Sequence, residues 1–456
     1  MFKTLSPEVR KAKLAGDDVG SLLRELGVPA ILGMFVTAFN NLIDTIFVGQ
    51  GLGIKAIGGL AIVFPLQMIF LAVAQAIGVG GGAIISIALG NNDQDKVERI
   101  LGNVLSLVLC FSALFLLIGG VFIVPLMRMF GATDALMPFA VAYTRVTIWG
   151  FFFYALSMAL SNVVRAEGNT MVAMTARIVA AILKLILTPV FIFIFRWGME
   201  GAALSTVVAH FISLLVIAVY MLGGKSLLKV RGRYLLPDYS IVKQIFSLGS
   251  SVLVRYMAGS IVSVLINNTL SYYGQYFYIA MYGIIYRVRT FIFQPIYGLA
   301  QGMQPIVGFA VGMRDLERIK KALKLSFFYG TLIAFFSWGL MALFADETIS
   351  LFGSSEKLIE RGDDVLVVAN LMLPTVGFQI IAVSMFLSLG RSVQSLMLSI
   401  ARQALFFIPL AIILPMKYGP WGIWYAYPLS DLLSFLVAFF LVRHQWKMFE
   451  TAKTQV

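Results

Sequence analysis

The sequence is poor in charged residues, in cysteine and in histidine. Only 12% of its 456 residues are Asp, Glu, Lys or Arg, about half the share found in an average soluble domain. So few charges could not cover the surface of a water-soluble fold of this length, which excludes that class. A single cysteine, Cys110, excludes an intramolecular disulfide. The two histidines, His210 and His444, are too few and too far apart for a metal site.

The sequence is rich instead in long apolar runs. Hydrophobic residues make up 60% of the chain, and the mean hydropathy is +0.90. Each run can cross a hydrocarbon core of about 30 Å, where helices satisfy their own backbone hydrogen bonds. No short apolar stretch with a cleavage site precedes the first run, so we expect no signal peptide. We predict an all-α integral membrane protein with twelve transmembrane helices, at residues 26–50, 56–89, 98–125, 139–164, 170–196, 199–222, 242–270, 278–311, 322–345, 364–389, 395–416 and 419–443.

The Lys and Arg residues are distributed unevenly over the loops between these runs. With the N-terminus placed in the cytoplasm, the inner segments hold 22 of them and the outer loops hold six. Inner loops of membrane proteins carry this excess, so we expect both termini to be cytoplasmic and the protein to reside in the cell membrane. Topology explains the basic loops better than nucleic-acid binding does.

The chain repeats itself at an offset near 222 residues. Residues 81–97 align with 303–319, and Gly168 aligns with Gly390. The repeat predicts two six-helix lobes that run in the same direction, related by a pseudo-two-fold axis along the membrane normal. We expect an N-terminal segment, an N-lobe, a linker, a C-lobe and a tail at residues 1–25, 26–222, 223–241, 242–443 and 444–456.

Two similar lobes that face each other across a cavity suit alternating access, so we predict a transporter and not an enzyme. The alternative is a duplication without transport. Intramembrane prenyl transfer would need acidic clusters that bind metal-diphosphate. The two Asp-Asp pairs, at 17–18 and 363–364, lie at the membrane edge or beyond it.

Ionisable residues inside the predicted spans are functional candidates, because each costs several kcal/mol to insert. The acids are Asp44 and Asp431. Asn40, Asn41 and Asp44 share one helix face, where a carboxylate among amides can bind H⁺ or Na⁺. A structural ion pair of Asp44 with Lys184 is the alternative. The basic residues in spans are Arg145, Arg177, Lys184, Arg255, Arg287, Arg289 and Arg402.

Several of these residues are candidates for a substrate cavity. Arg287 and Arg289 are two apart, so a helix points them in nearly opposite directions, one toward the cavity and one into the lobe. Arg145, Arg177 and Arg402 either extend to a membrane interface or act inside the protein. The predicted cavity residues are Arg255, Arg287, Gln294, Asn267 and Asp431.

Segments 41–49, 165–169, 298–308 and 402–409, in this order and spacing, resemble the multidrug and toxic compound extrusion (MATE) family. The resemblance is to its MepA-like branch, within the MOP exporter superfamily, and covers nearly the whole chain. It implies a twelve-helix, two-lobe exporter that expels cationic amphipathic drugs in exchange for H⁺ or Na⁺. The helix-1 acid of the family matches Asp44, and this branch commonly has Arg at the positions of Arg287 and Arg402.

The chain departs from this family in helix 5. There the family often has Asn and, four residues later, Asp before Pro, where this sequence has Lys184, Thr188 and Pro189. A fixed ammonium beside Asp44 would occupy the place of a coupling cation, which argues against Na⁺ coupling here and leaves proton-dependent exchange of the Asp44–Lys184 pair. The predicted ion-coupling residues are Asp44, Asn40, Asn41, Lys184 and Thr188.

The sequence thus predicts secondary efflux of small amphipathic organic compounds by alternating access, coupled to H⁺ or Na⁺. The alternative is an exporter or flippase of an anionic metabolite or lipid-linked substrate in the same fold, because bases outnumber acids within the spans. We expect a monomer in the lipid bilayer that takes small-molecule substrates, with no cofactor besides the coupling ion and no nucleic-acid partner.

Overall fold

The computed structural model describes residues 6–16, 18–272, 276–350 and 356–454. The side chains of residues 41–45, 54, 271, 276–277, 279–280, 356–361 and 452–454 lie outside this description. In the described ranges the secondary structure is helical, with π-helical turns at Val190–Ile194 and Ala401–Phe407 and one 3-10 turn at Gly232–Tyr234. The α-helices are α1 (Pro7–Ala15), α2 (Val19–Leu52), α3 (Ile54–Gly90), α4 (Gln94–Val121), α5 (Ile123–Met129), α6 (Met137–Ala166), α7 (Thr170–Pro189), α8 (Gly198–Leu222), α9 (Tyr239–Tyr272), α10 (Tyr276–Gly312), α11 (Leu316–Leu343), α12 (Ala345–Ser350), α13 (Glu356–Ala369), α14 (Leu373–Ser388), α15 (Ser392–Ile400), α16 (Ile408–Tyr418) and α17 (Trp421–Thr454).

The predicted membrane architecture is confirmed. Eleven helical segments of the described chain are long and apolar enough to cross a membrane. α10 has 37 residues and supplies the twelfth span. It also carries the charged residues Arg287 and Arg289. The protein is therefore a multi-pass membrane protein with six spans in each half of the chain.

The internal repeat is visible in backbone conformation. Asn92 and Arg314, which lie 222 positions apart, both have φ 59° in the turns after α3 and α10. Gly168 and Gly390, also 222 apart, have φ 85° and φ 74° in the turns after α6 and α14. These left-handed conformations are rare for residues other than glycine. Their recurrence at the predicted offset shows that the two halves fold alike.

The two lobes meet closely near one end of the bundle, the end where the described part of the chain begins, at Ser6, and stops, at Thr454. We call this end the terminal face; it is formed by Gly16, Asp18 and the turns at residues 91–93, 167–169, 223–238, 313–315 and 389–391. A Cβ at Gly302 of α10 would lie 2.6 Å from Cα of Gly27 in α2, and a Cβ at Gly90 of α3 would clash with the carbonyl oxygen of Phe309 in α10. Glycine at these points lets helix backbones of opposite lobes touch.

The N-terminal helix α1 bridges the two lobes across the terminal face. Nη1 of Arg10 lies 3.1 Å from Oε1 of Glu167 in the N-lobe. On the other side, Arg318 of α11 donates to the carbonyl oxygen of Gly16. Because α1 contacts both lobes, a change in their relative position must break or rearrange one of these contacts.

The linker between the lobes is attached to the N-lobe. The linker runs from residue 223 to residue 238 and is not helical, apart from the 3-10 turn. Gln94 donates to the carbonyl oxygen of Leu227 at 2.7 Å, and the backbone N–H of Asp238 donates to Oδ1 of Asn103 at 2.7 Å. These bonds hold the linker against the base of α4.

Candidate functional site

The predicted coupling site begins with two buried polar residues on α7. Lys184 is 3% exposed and Thr188 is 1% exposed. They are four residues apart, so they share a helix face. The hydroxyl of Thr188 is 2.8 Å from that of Ser205 on α8. This face of α7 therefore points into the N-lobe.

The other half of the predicted coupling site is on α2. The side chains of Asn41 and Asp44 lie outside the described residues. Asn40 lies one helical turn before Asp44. Its Oδ1 is buried and has no hydrogen-bond partner among the residues that the structure describes. The pairing of Asp44 with Lys184 stays a prediction.

A second polar cluster in the N-lobe was not predicted. Asn162 on α6 donates to Oε1 of Gln75 on α3 at 3.0 Å. Arg165, which the sequence places at a helix end, is 4% exposed and donates to Oδ1 of Asn162. A signal for this cluster was present in the sequence, because Asn162 and Arg165 are three apart and share a helix face.

The C-lobe contains a buried triad of one acid and two bases. Oδ2 of Asp431 on α17 lies 2.7 Å from Nη2 of Arg289 on α10. Its Oδ1 lies 3.3 Å from Nε of Arg402 in the π-helical turn after α15. Arg289 also donates to the carbonyl oxygen of Ala369 at 2.7 Å. The side chains of Asp431 and Arg289 are 2% and 6% exposed, so the triad sits inside the lobe.

This triad corrects one expectation and decides between two alternatives. Asp431 was predicted to line the substrate cavity, but its carboxylate is enclosed between two guanidinium groups. For Arg402 the sequence left open a position at a membrane interface or a role inside the protein, and the structure has the second, because its guanidinium turns inward to Asp431. The physical reason is that a carboxylate in a low-dielectric interior requires paired partners, and two arginines supply them.

The remaining predicted cavity residues differ in exposure. Arg287 is exposed while Arg289 is buried, which confirms that the two point in different directions. Asn267 of α9 is exposed, and Gln294 of α10 is half-buried. Arg287 and Asn267 lie on the parts of α10 and α9 farther from the terminal face, beyond the glycine contacts between the lobes.

Arg255 borders a small cavity of about 50 Å³ within the C-lobe. Its guanidinium carbon lies 4.7 Å from the ring centre of Tyr297 and 5.3 Å from that of Tyr256. Arg402 lines the same cavity. The sequence predicted a cavity between the lobes, whereas this one is formed by α9, α10, α14, α15 and α17 of the C-lobe alone.

Two repeated six-helix lobes, joined at one face and holding buried ionisable groups within each, define the class of two-lobe membrane transporters. Comparison with known proteins identifies the family. The MatE family model matches residues 29–190 and 251–413, once in each lobe. The chain belongs to this family, the MATE transporters.

Relatives and solved structures agree with this assignment. The chain is 24% identical to the probable multidrug resistance protein YoeA of Bacillus subtilis over 92% of both chains. It is 23% identical to the multidrug export protein MepA of Staphylococcus aureus, again over 92% of both. The solved structure of the MATE multidrug transporter DinF-BH has 33% identity and a TM-score of 0.87, and the match covers 93% of this chain and 95% of that one. A MATE structure in complex with MaL6 shares the fold, with a TM-score of 0.91 over 99% of this chain and 100% of that one, at 24% identity.

Proposed function

We propose that this protein is a secondary active exporter of small amphipathic organic compounds, driven by an H⁺ or Na⁺ gradient. It works by alternating access and is not an enzyme. Membership of the MATE family supports this function, as do the multidrug names of the relatives YoeA and MepA. The DinF-BH structure adds support, because that relative is named a multidrug transporter.

The arrangement of the lobes is the observation that carries the proposal. The glycine contacts that we describe between the lobes lie in the halves of α2, α3 and α10 nearer the terminal face. Exposed polar residues such as Arg287 and Asn267 lie beyond them, toward the opposite face. Two lobes closed at one face can open there and close at the other, which is the motion that alternating access requires.

The proposed orientation places the terminal face in the cytoplasm. The excess of Lys and Arg in its turns supports this, because such residues favour the cytoplasmic side. The protein then acts as a monomer in the cell membrane, with both termini inside and without a nucleic-acid partner. Substrate leaves through the face opposite to the termini.

The proposed coupling site consists of Asp44, Asn40 and Asn41 on α2 with Lys184 and Thr188 on α7. Lys184 and Thr188 are buried on one face of α7, where an ammonium has little access to water. The coupling ion is cargo in this scheme and not a resident cofactor. A proton suits the site better than Na⁺, because Lys184 already supplies a positive charge.

Ethidium efflux in cells tests the export function. The chain is expressed in a bacterial strain that lacks its own dye exporters, and ethidium fluorescence is followed in preloaded cells. Expression is expected to speed ethidium loss several-fold, and a protonophore or a Na⁺ ionophore to remove the effect. Unchanged ethidium loss with the protein present in the membrane contradicts the proposal.

Variants of the coupling site separate transport from coupling. Asp44→Asn and Lys184→Ala are expected to abolish gradient-driven uptake of ethidium in vesicles while the protein remains folded by size-exclusion chromatography. Arg145→Gln is the matched control, because Arg145 is also a basic residue within a span but is exposed. Full gradient-driven uptake by Asp44→Asn shows that the coupling site lies elsewhere.

Export of an anionic substrate is the second candidate function. The C-lobe triad leaves an excess of positive charge, since Asp431 is shared by Arg289 and Arg402. If this candidate holds, vesicles take up an organic anion and not ethidium, and Arg255→Ala lowers that uptake. Ethidium uptake that is unaffected by Arg255→Ala favours the first function.

A further inference from the structure

The N-terminal helix α1 is not a membrane span, yet two of its side chains are buried. Its nine residues extend over about 14 Å, and four of them are charged. Arg10 and Leu14 are 4% and 1% exposed, and they share a helix face because they are four residues apart. Val9 and Ala12, on other faces, are exposed. The helix therefore rests on the protein with one narrow face.

A buried ion pair seats α1 on the N-lobe. Nη1 of Arg10 lies 3.1 Å from Oε1 of Glu167, and the two side chains are 5% and 0% exposed. Nη2 of Arg10 donates to the carbonyl oxygen of Lys225 in the linker at 2.9 Å. Leu14 lies against the turn after α6, where a Cβ at Gly168 would be 3.1 Å from its Cδ1. Breaking a buried ion pair is costly, so this seat is the stronger attachment of α1.

The attachment of α1 to the C-lobe consists of hydrogen bonds to neutral acceptors. Arg318 of α11, which is 4% exposed, donates through Nη1 to the carbonyl oxygen of Gly16. Its Nη2 lies 3.5 Å from the carbonyl oxygen of Lys13. These carbonyl groups are at the C-terminal end of α1, where the helix dipole favours a cation. Gly16 and Lys13 are exposed, so water can take the place of the guanidinium once the lobes separate.

The other described contacts between the lobes near the terminal face are weaker in direction. The glycines of α2, α3 and α10 bring helix backbones into contact without a charged bond. The amide of Gln304 lies 3.5 Å from the carbonyl oxygen of Val79, which is long for a hydrogen bond. Bonds from a guanidinium are stronger than neutral ones. Arg318 therefore gives α1 a directed hold on the C-lobe.

We propose that α1 is a strap that holds the terminal face closed. It stays seated on the N-lobe, and the bonds from Arg318 to its last carbonyl groups tie the C-lobe to it. Release of Arg318 is then the step that lets the terminal face open. The proposal rests on the lobe motion of the proposed function and adds the element that restrains this motion.

The test is a distance measurement across the terminal face by electron spin resonance. Spin labels are attached at Val230→Cys in the linker and Val393→Cys in α15, which are 47% and 64% exposed. The single native cysteine is removed by Cys110→Ser, and the purified full-length protein is placed in phosphatidylcholine nanodiscs. No substrate or gradient is needed, because the measurement reports the equilibrium between closed and open lobes.

The variants at Arg318 separate the strap from a general change of charge. Arg318→Met keeps the length of the side chain without its donors, so we expect it to raise the fraction of long distances at least threefold. Arg318→Lys keeps a cationic donor and is expected to restore part of the closed population. Lys324→Gln is the matched control, because it removes an exposed base from the same helix. A shift of equal size in Lys324→Gln overturns the proposal.

A variant of α1 tests the strap from its other side and leaves the C-lobe intact. Ala12→Pro breaks the helix, because the proline ring clashes with the carbonyl group four residues earlier. We expect the same shift to long distances as in Arg318→Met, and Ala12→Ser is the control that keeps the helix. This variant also serves if Arg318→Met does not fold. Distances that Ala12→Pro leaves unchanged overturn the proposal.

A label on α1 shows which lobe the helix follows. In the Arg318→Met protein, the distance from Ala12→Cys to Val230→Cys is expected to stay the same, while the distance from Ala12→Cys to Val393→Cys lengthens. The opposite result overturns the seat on the N-lobe. Ethidium efflux by the same chain separates this proposal from the export function. Shifted distances without efflux support the strap and contradict export, whereas efflux with unshifted distances contradicts the strap alone.

Discussion

Removal of the Asp431 carboxylate is expected to destabilise the C-lobe strongly. The substitution Asp431→Asn keeps the volume of the side chain, so it creates almost no cavity. It removes the one acid that Arg289 and Arg402 share at 2.7 Å and 3.3 Å. Two guanidinium groups then face each other in a site where Arg289 has 6% of its side chain exposed.

The size of the effect follows from burial. Removing one partner of a buried ion pair typically costs about 3–5 kcal/mol, because the other charge stays buried without compensation. Two bases depend on Asp431, so we expect a loss at the upper end of this range. Glu25→Gln is the control, because the Glu25–Lys13 pair is nearly half exposed and an exposed pair contributes about 0–1 kcal/mol.

The assay is reversible unfolding by SDS in mixed micelles, followed by tryptophan fluorescence. Trp424 is fully buried on α17, two turns before Asp431, and reports on this lobe. A double-mutant cycle then isolates the charge effect. Arg402→Gln in the Asp431→Asn background removes one of the two guanidinium groups left without a carboxylate, so it is expected to restore part of the stability and give a coupling energy of about 1–3 kcal/mol.

Two results would refute this reasoning. A loss below about 1 kcal/mol for Asp431→Asn would mean that the triad contributes no more than an exposed pair does. Strictly additive effects of Asp431→Asn and Arg402→Gln would mean that the two side chains do not interact.

Two further predictions concern the contacts at the terminal face. Gly302→Leu is expected to lower the free energy of unfolding by about 1–3 kcal/mol and to stop transport, because its Cβ would collide with the backbone of α2. Gly339→Leu is the control and is tolerated in the same unfolding and uptake assays, because a Cβ at Gly339 has no atom within 4 Å. Arg10→Ala is expected to cost about 3–5 kcal/mol near neutral pH, since it leaves Glu167 buried without its guanidinium partner. Burial already raises the pKa of Glu167 while Arg10 lowers it, so without Arg10 the carboxyl takes up a proton more readily in the folded state. The Arg10→Ala loss therefore grows as pH rises through that pKa. Lys13→Ala breaks an exposed ion pair, so we expect a small loss of stability that does not grow with pH. Equal pH profiles of stability for the two variants contradict the pairing of Arg10 with Glu167.

The architecture was predictable because lipid leaves the backbone few choices. Length and hydropathy located all twelve spans, and the offset of 222 residues reappears in the φ angles of Asn92 and Arg314. Helix geometry was also enough to separate Arg287 from Arg289. These features depend on local sequence and on periodicity, and both can be read without knowledge of the tertiary contacts.

The partners of the buried charges were not predictable. Asp431 pairs with Arg289 from a helix 142 positions earlier in the chain, and the sequence does not give the rotation of α10 relative to α17. Arg402 turns inward from a π-helical turn, which shifts the register of the residues around it. The cavity bordered by Arg255 depends on five helices at once, so it appears only when their positions are known.

Gradient-driven uptake by the purified protein tests the central claim most directly. The protein is reconstituted into liposomes, and ethidium uptake is compared under an imposed proton gradient, an imposed Na⁺ gradient and no gradient. We expect accumulation above equilibrium under one of the two gradients, with the proton gradient favoured because of Lys184, and none without a gradient. Uptake that is equal under all three conditions, or absent from all three with folded protein in the membrane, contradicts it.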